Sequence, residues 1–135
     1  MAALASTGGL YALADRSDAG HVEAVRALEA TGGALVVLAP VLTETVRLAT
    51  RLLGREAGIR LLDAALAGEL VFQPLDRRDL LLARDLLEEH QGLSLTGALV
   101  VASAKRLGLE SVLCLEPDLR RAAKERGLCP IPPEG

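Results

Sequence analysis

An α/β fold, a Rossmann-like parallel sheet of about four or five strands with helices on both faces, is what the sequence predicts. Three observations predict it. Short apolar, strand-like runs alternate with longer segments of helical period along the 135 residues. Tyr11 and Phe72 are the only aromatic residues, so the core must be built from Leu, Val and Ala, which suits helices layered on a sheet. Gly, Pro and capping residues fall where one run gives way to the next.

The elements follow in order. Strands are expected at about 2–6, 34–38 ("ALVVL"), 70–73 ("LVFQ"), 111–115 ("SVLCL") and 128–131. Helices are expected near 8–15, 19–31, 41–53, 55–67, 76–90, 95–107 and 118–126. The opening "LASTGGLYALAD" reads as an apolar strand that breaks at Ser6-Thr7-Gly8-Gly9 and re-forms as a helix. Asp18 is placed to cap the second helix and "TGG", Thr31 to Gly33, to end it. Pro40 suits the first turn of the third helix, where its missing N–H does no harm. Gly54 separates the third helix from the fourth as a helical hairpin. "PLDRRDL" caps the fifth helix and "HQG" closes it, and Ser94 or Thr96 caps the sixth. The whole chain, 1–135, reads as one domain, with a Pro-rich tail over 130–135 that continues neither strand nor helix.

Composition removes several functions. A net charge of −3 argues against a polyanion binder driven by overall charge. The dearth of aromatic rings removes a stacking platform for bases. All but two of the 15 basic residues are Arg, the side chain suited to bidentate contact with phosphate and carboxylate, although base composition of the gene explains such usage equally well. Cys114 and Cys129 lack the spacing of a zinc or redox motif and sit in apolar runs, as small buried hydrophobes do. "MAALAST" has no basic n-region, and no apolar run reaches membrane-spanning length, so a soluble cytoplasmic protein is expected.

Few acids stand near strand ends or early helix turns: Glu44, Glu116 and Asp118. Singly, each has a structural reading. Glu44 complements the dipole of the helix after the second strand, and Asp118 caps the last helix behind Pro117. Together they converge on the carboxyl edge of a parallel sheet, and oxygen-only clusters of that kind select hard cations such as Mg²⁺ or Mn²⁺. Such a cation activates water and steadies the charge that builds on a phosphodiester. Arg47 and Arg51, four apart on the helix of Glu44, and Arg55 beyond them suit a phosphate groove, a dimer seam or a solvated face. Arg120, Arg121, Lys124 and Arg126 form a second basic run on the last helix. His21 and His90 have no partner in sequence that implies general-base work. "STGG" lacks the rest of a P-loop or dinucleotide fingerprint.

Across nearly its whole length the chain resembles the PIN-domain nucleases, most closely the VapC-type toxins. "ASTGGLYALAD" is similar to the family's opening block D-T-S/G-x-L-x-A-L-x-D. "VLTETVRLATRLLGREAGIRLLDAAL" resembles the segment that carries the second acid, here Glu44. "GLSLTGALVVASAKRLGLESVL" resembles L-S-x-x-D-A-x-x-x-A-x-A-x-x-x-G, and "CLEPDLRRAAKERGL" resembles T-x-D-x-D-F. The resemblance implies strand order 3-2-1-4-5, a Mg²⁺- or Mn²⁺-dependent endoribonuclease, a homodimer, and a small antitoxin as partner.

Carried over residue by residue, the site is incomplete. The family's first aspartate falls on Ser6 and its third on Gly97; Glu44, Glu116 and Asp118 keep acids. Ser6 offers a neutral hydroxyl, a weaker metal ligand than a carboxylate, and Gly97 offers no side chain. The expected function is that of a PIN-domain protein with impaired or lost catalysis, degenerate at Ser6 and Gly97, which acts by binding RNA or a protein partner. Two alternatives stand beside it. In one, Glu44, Glu116 and Asp118 hold a single Mg²⁺ or Mn²⁺ in an active ribonuclease, and Ser6 positions water. In the other, the chain is a dimeric interaction module with no cofactor and no nucleic-acid role. Arg47, Arg51, Arg120 and Arg121 are the candidates for RNA contact, and no membrane partner is expected.

Overall fold

The computed structural model describes residues 2–134. Along the chain run β1 (Ala2–Ala5), α1 (Thr7–Ala14), α2 (His21–Ala30), β2 (Ala34–Leu38), α3 (Ala39–Leu53) and α4 (Arg55–Leu66). They are followed by β3 (Val71–Gln73), α5 (Arg77–Glu89), α6 (Leu95–Leu107), β4 (Ser111–Leu113), α7 (Pro117–Glu125) and β5 (Cys129–Ile131). The five strands form one parallel sheet in the order β3-β2-β1-β4-β5, as the family resemblance implied.

Successive strand residues point to opposite faces of a sheet. In β1, Ala3, Leu4 and Ala5 are all fully buried, so both faces of the central strand are covered by helices. The same holds for Leu35 to Leu38 of β2. Helix α6 is buried over residues 96–104, and its run of Ala and Val keeps it slender enough to lie close among its neighbours. Gly9 lets α1 approach β4, because a Cβ there would lie 2.3 Å from the Leu113 carbonyl oxygen. That contact sets α1 directly over the carboxyl end of the sheet, with the Ser6 N–H donating to Leu113 O at 2.9 Å.

Helices α5 and α6 are joined by a buried ion pair. Arg106 presents Nε and Nη2 to the two oxygens of Asp79 at 2.8 and 2.9 Å. Asp79 also closes a capping box with Asp76, accepting from the Asp76 N–H at 2.9 Å. Burial opposes the charged form of Asp79, yet the Arg106 hydrogen bonds and the Asp76 N–H hold its carboxyl below the usual range. Asp76 itself titrates at about 2, chiefly through the side-chain hydrogen bond from Arg78 and then the Arg78 backbone N–H.

Local expectations are corrected in four places. Gly20, not Asp18, is the N-cap of α2; Asp18 instead accepts from the Gly20 N–H at 2.9 Å in the turn before it. Asp118 lies inside the first turn of α7, whose N-cap is Glu116. Cys129 is exposed, since β5 is an edge strand, whereas Cys114 is buried as expected. Strand β5, Cys129–Ile131, falls on the strand expected at 128–131, but it takes in Pro130 and Ile131 of the tail expected to continue no strand; an edge strand tolerates a proline whose missing N–H faces away from its partner. Between the two expected caps of α6, Ser94 holds the position, accepting from the Gly97 N–H at 3.0 Å. The third helix ends at Gly54, whose φ of 103° suits only glycine.

Candidate functional site

The carboxyl ends of β1, β2 and β4 deliver Ser6, the start of α3, and Glu116 to one edge of the sheet. Ser6 is the N-cap of α1 and is buried. Its Oγ accepts from the Gly9 N–H at 2.9 Å and donates to Glu116 Oε1 at 2.7 Å. With the residue 1% exposed and its hydroxyl engaged on both sides, Ser6 has no path to attack a substrate.

Glu116 reaches across from the start of α7. Oε2 accepts from the Gly8 N–H at 3.0 Å, and Oε1 also accepts from the Leu115 N–H at 3.0 Å. The carboxylate rests where a side chain on residue 8 would begin: a Cβ at Gly8 would lie 2.8 Å from Glu116 Cδ. The extra methylene of Glu over Asp, together with the glycine, lets the acid reach the end of β1.

Glu44 stands in the second turn of α3, the helix that follows β2. One oxygen accepts from Thr7 Oγ at 2.9 Å and the other from Thr96 Oγ. Thr7 and Thr96 adjoin Ser6 and Gly97, the two positions onto which the family resemblance carries an aspartate. Neither threonine stood out in the sequence as a partner of an acid. The only sign was a hydroxyl residue beside Ser6 and beside Gly97.

Asp118 stands apart from Ser6. It lies against the α5–α6 turn, where a Cβ on Gly92 would come 2.5 Å from its Oδ2, and it faces Arg121 at 3.5 Å. Gly97, Glu116 and Asp118 share the lining of a shallow cavity of about 180 Å³. At Gly97 an added Cβ would meet Leu93 Cδ1 at 3.0 Å and Ser94 Oγ at 3.3 Å, both movable side-chain atoms. Among the described residues, no group of three or more His, Cys, Asp or Glu side chains stands together as a cation would need.

The two basic runs differ in use. Arg47 and Arg51 are exposed on α3, the helix of Glu44. Arg120 is a strap, donating to Cys114 O at 2.8 Å and to Pro132 O at 2.6 Å, so it binds the chain's own backbone. Lys124 pairs with Glu134 and Arg126 with Glu89, which leaves Arg121, two-thirds exposed, as the outward-facing arginine of α7. His21 Nδ1 lies 2.7 Å from the Ala12 carbonyl oxygen, and His90 lies 3.8 Å from Glu125 and 3.9 Å from Glu89, away from the sheet edge. Burial, followed by the charge of Glu116, pushes the Cys114 thiol up to about 12, which keeps it protonated and inert. The hydrogen bond to Asp15, followed by burial, holds the Tyr11 hydroxyl up at about 12.

The family model for the PIN domain matches residues 7–125. The chain is similar in fold to the VapC20 toxin of Mycobacterium tuberculosis, described with its crystal structure as cleaving the sarcin-ricin loop. The TM-score is 0.79 at 21% sequence identity, over 90% of this chain and 95% of that one. No curated protein sequence matches the chain. No helix among the described residues is long and apolar enough to cross a membrane.

Proposed function

The chain belongs to the PIN-domain family, and from that premise we propose that it is a VapC-like member whose ribonuclease site has lost its catalytic power and which acts by binding a protein partner. The observation that carries this reading is the fate of the acids. Ser6 and Gly97 bring no charge to the edge, and the carboxylates of Glu44 and Glu116 accept hydrogen bonds on both oxygens from this chain's own hydroxyl and amide donors.

PIN-domain nucleases generally use Mg²⁺ or Mn²⁺. The donor set here does not fit such an ion. Mg²⁺ demands near-octahedral oxygen ligands and keeps several waters, so its carboxylates must face a common centre. Glu116 is turned onto the N-terminus of α1, Glu44 is drawn between two threonines, and Asp118 sits against Gly92. Without a cation, three carboxylates along one edge oppose the approach of phosphate.

A protein partner suits the exposed apolar side chains of α4 and β3 better. The resemblance to VapC-type toxins supplies a second copy and a small antitoxin as the partners, acting in the cytoplasm. Ile59, Leu62 and Leu66 on α4, with Val71 and Phe72 on β3, are exposed apolar side chains of the kind that partners cover. One observation favours RNA as a second ligand: Arg47 and Arg51 remain exposed beside Glu44.

Restoration tests the reading. Ser6→Asp combined with Gly97→Asp returns the acids, and Asp at position 6 is as good an N-cap as Ser. The native chain is expected to leave a structured RNA intact in Mn²⁺, and the folded double variant to cleave it, with Glu44→Gln abolishing that cleavage. Mn²⁺-dependent cleavage by the native chain, lost in Glu44→Gln, would establish the active ribonuclease instead. A folded double variant that cuts nothing would overturn descent from a working nuclease site.

A further inference from the structure

We propose that Glu116 and Glu44 form a cation-independent clasp: Glu116 caps α1 from another helix, and Glu44 ties α1 to α6. In this chain the acids at the sheet edge hold the fold together in the place where a metal would otherwise do so.

The first α1 turn carries N–H groups with no partner inside the helix and no acidic residue to complement its dipole. Ser6 satisfies the Gly9 N–H, and Glu116 satisfies the Gly8 N–H. The carboxylate thus supplies both the second acceptor and the missing negative charge at that terminus. It is fixed there by two further donors, Ser6 Oγ and the Leu115 N–H, which sit on β1's end and β4's end. One side chain therefore joins α1, β1 and the β4–α7 turn. Glu44 does the same across a wider span, accepting from Thr7 on α1 and from Thr96 on α6. Hydrogen bonds to an ionised acceptor are shorter and stronger than neutral ones, and each oxygen here has a directed donor.

A clasp and a vacant metal seat respond oppositely to neutralisation. Carboxylates that await a cation repel one another, so changing one to an amide raises stability at the expense of function. In a clasp, Gln replaces one acceptor oxygen with an NH₂ that faces donors and leaves them unpaired.

The test is thermal denaturation of the full chain, in EDTA and in millimolar Mn²⁺, with no activity measured. The clasp rests on the reading that this edge holds no metal, whereas cleavage by the restored double variant tests descent from a nuclease, so the two can fail separately. Glu116→Gln is expected to lower the melting temperature by about 5 °C, and Glu44→Gln by about 3 °C, for a domain of this size. Both losses should be the same in EDTA and in Mn²⁺, and the native chain should melt at one temperature in the two buffers. Combining Ser6→Ala with Glu116→Gln should cost less than the sum of the two, because they share a hydrogen bond. Should Glu116→Gln not fold, Thr7→Val and Thr96→Val decide. Each removes one donor from Glu44 while keeping its charge, and a fall of a few degrees supports the clasp. A rise in melting temperature for either Gln variant, unchanged melting in both Val variants, or a Mn²⁺-induced rise in the native chain that Glu44→Gln abolishes would overturn it.

Discussion

The carboxylates between α5 and α6 and those at the sheet edge are held in different ways. Between α5 and α6, Asp79 is fully buried and paired with the Arg106 guanidinium through two hydrogen bonds. At the sheet edge, Glu44 and Glu116 are also bonded on both oxygens, but every donor is a neutral hydroxyl or amide. One cluster carries its own cation; the other carries only dipoles. At that edge the donors are the hydroxyls of Ser6, Thr7 and Thr96 and the N–H groups of Gly8 and Leu115. Glu116 is half-buried with three neutral donors, and Glu44 is exposed with two, so neither faces the desolvation that Asp79 does.

The contrast can be broken from its stronger side first. Asp79→Ala leaves Arg106 charged, largely buried and unpaired, and removes the capping box of α5. It is expected to cost about 3–5 kcal/mol in urea denaturation. A loss under ~1 kcal/mol would place the Asp79–Arg106 pair with exposed ion pairs and erase the distinction.

Acid sharpens the comparison next. Asp79 has its carboxyl held below the ordinary value, so its contribution is complete above the unfolded value near 3.8 and disappears as pH falls through the lower folded value. Asp76, at about 2, extends that window downward. Native stability should therefore fall from about pH 4 toward pH 2, and Asp79→Asn should flatten that fall. An identical acid profile in the variant would contradict it.

The smallest effect is expected on the exposed flank. Arg47→Ala with Arg51→Ala should change stability by no more than about 0.5 kcal/mol. If RNA is a second ligand, the same variant should lose RNA retention at low salt; equal retention would leave only the protein partner.

The fold was legible because its signals are local. Apolar runs of strand length, Gly54 at a helix break and "PLDRRDL" before α5 placed each element within a residue or two. The order of strands came through the family resemblance, since a parallel sheet leaves no short turn to read. At the site, the residue types at positions 6, 44, 97, 116 and 118 were legible, but their partners were not. Ser6 meets Glu116 across 110 positions, and Thr96 meets Glu44 across 52. No periodicity encodes such a pair. Arg120 shows the same limit: in sequence it belonged to a basic run fit for RNA, whereas its guanidinium is spent on the Cys114 and Pro132 carbonyls. Asp79 and Arg106, 27 positions apart on different helices, gave no sign at all.

The most direct test of the central claim is a Mn²⁺ titration of the native chain followed by electron paramagnetic resonance of the free ion. A sheet edge whose carboxylates are committed to Ser6, Thr7, Gly8 and Thr96 predicts that equimolar protein leaves the free Mn²⁺ signal undiminished. Stoichiometric loss of that signal, restored by Glu44→Gln, would show that the acids hold a metal after all.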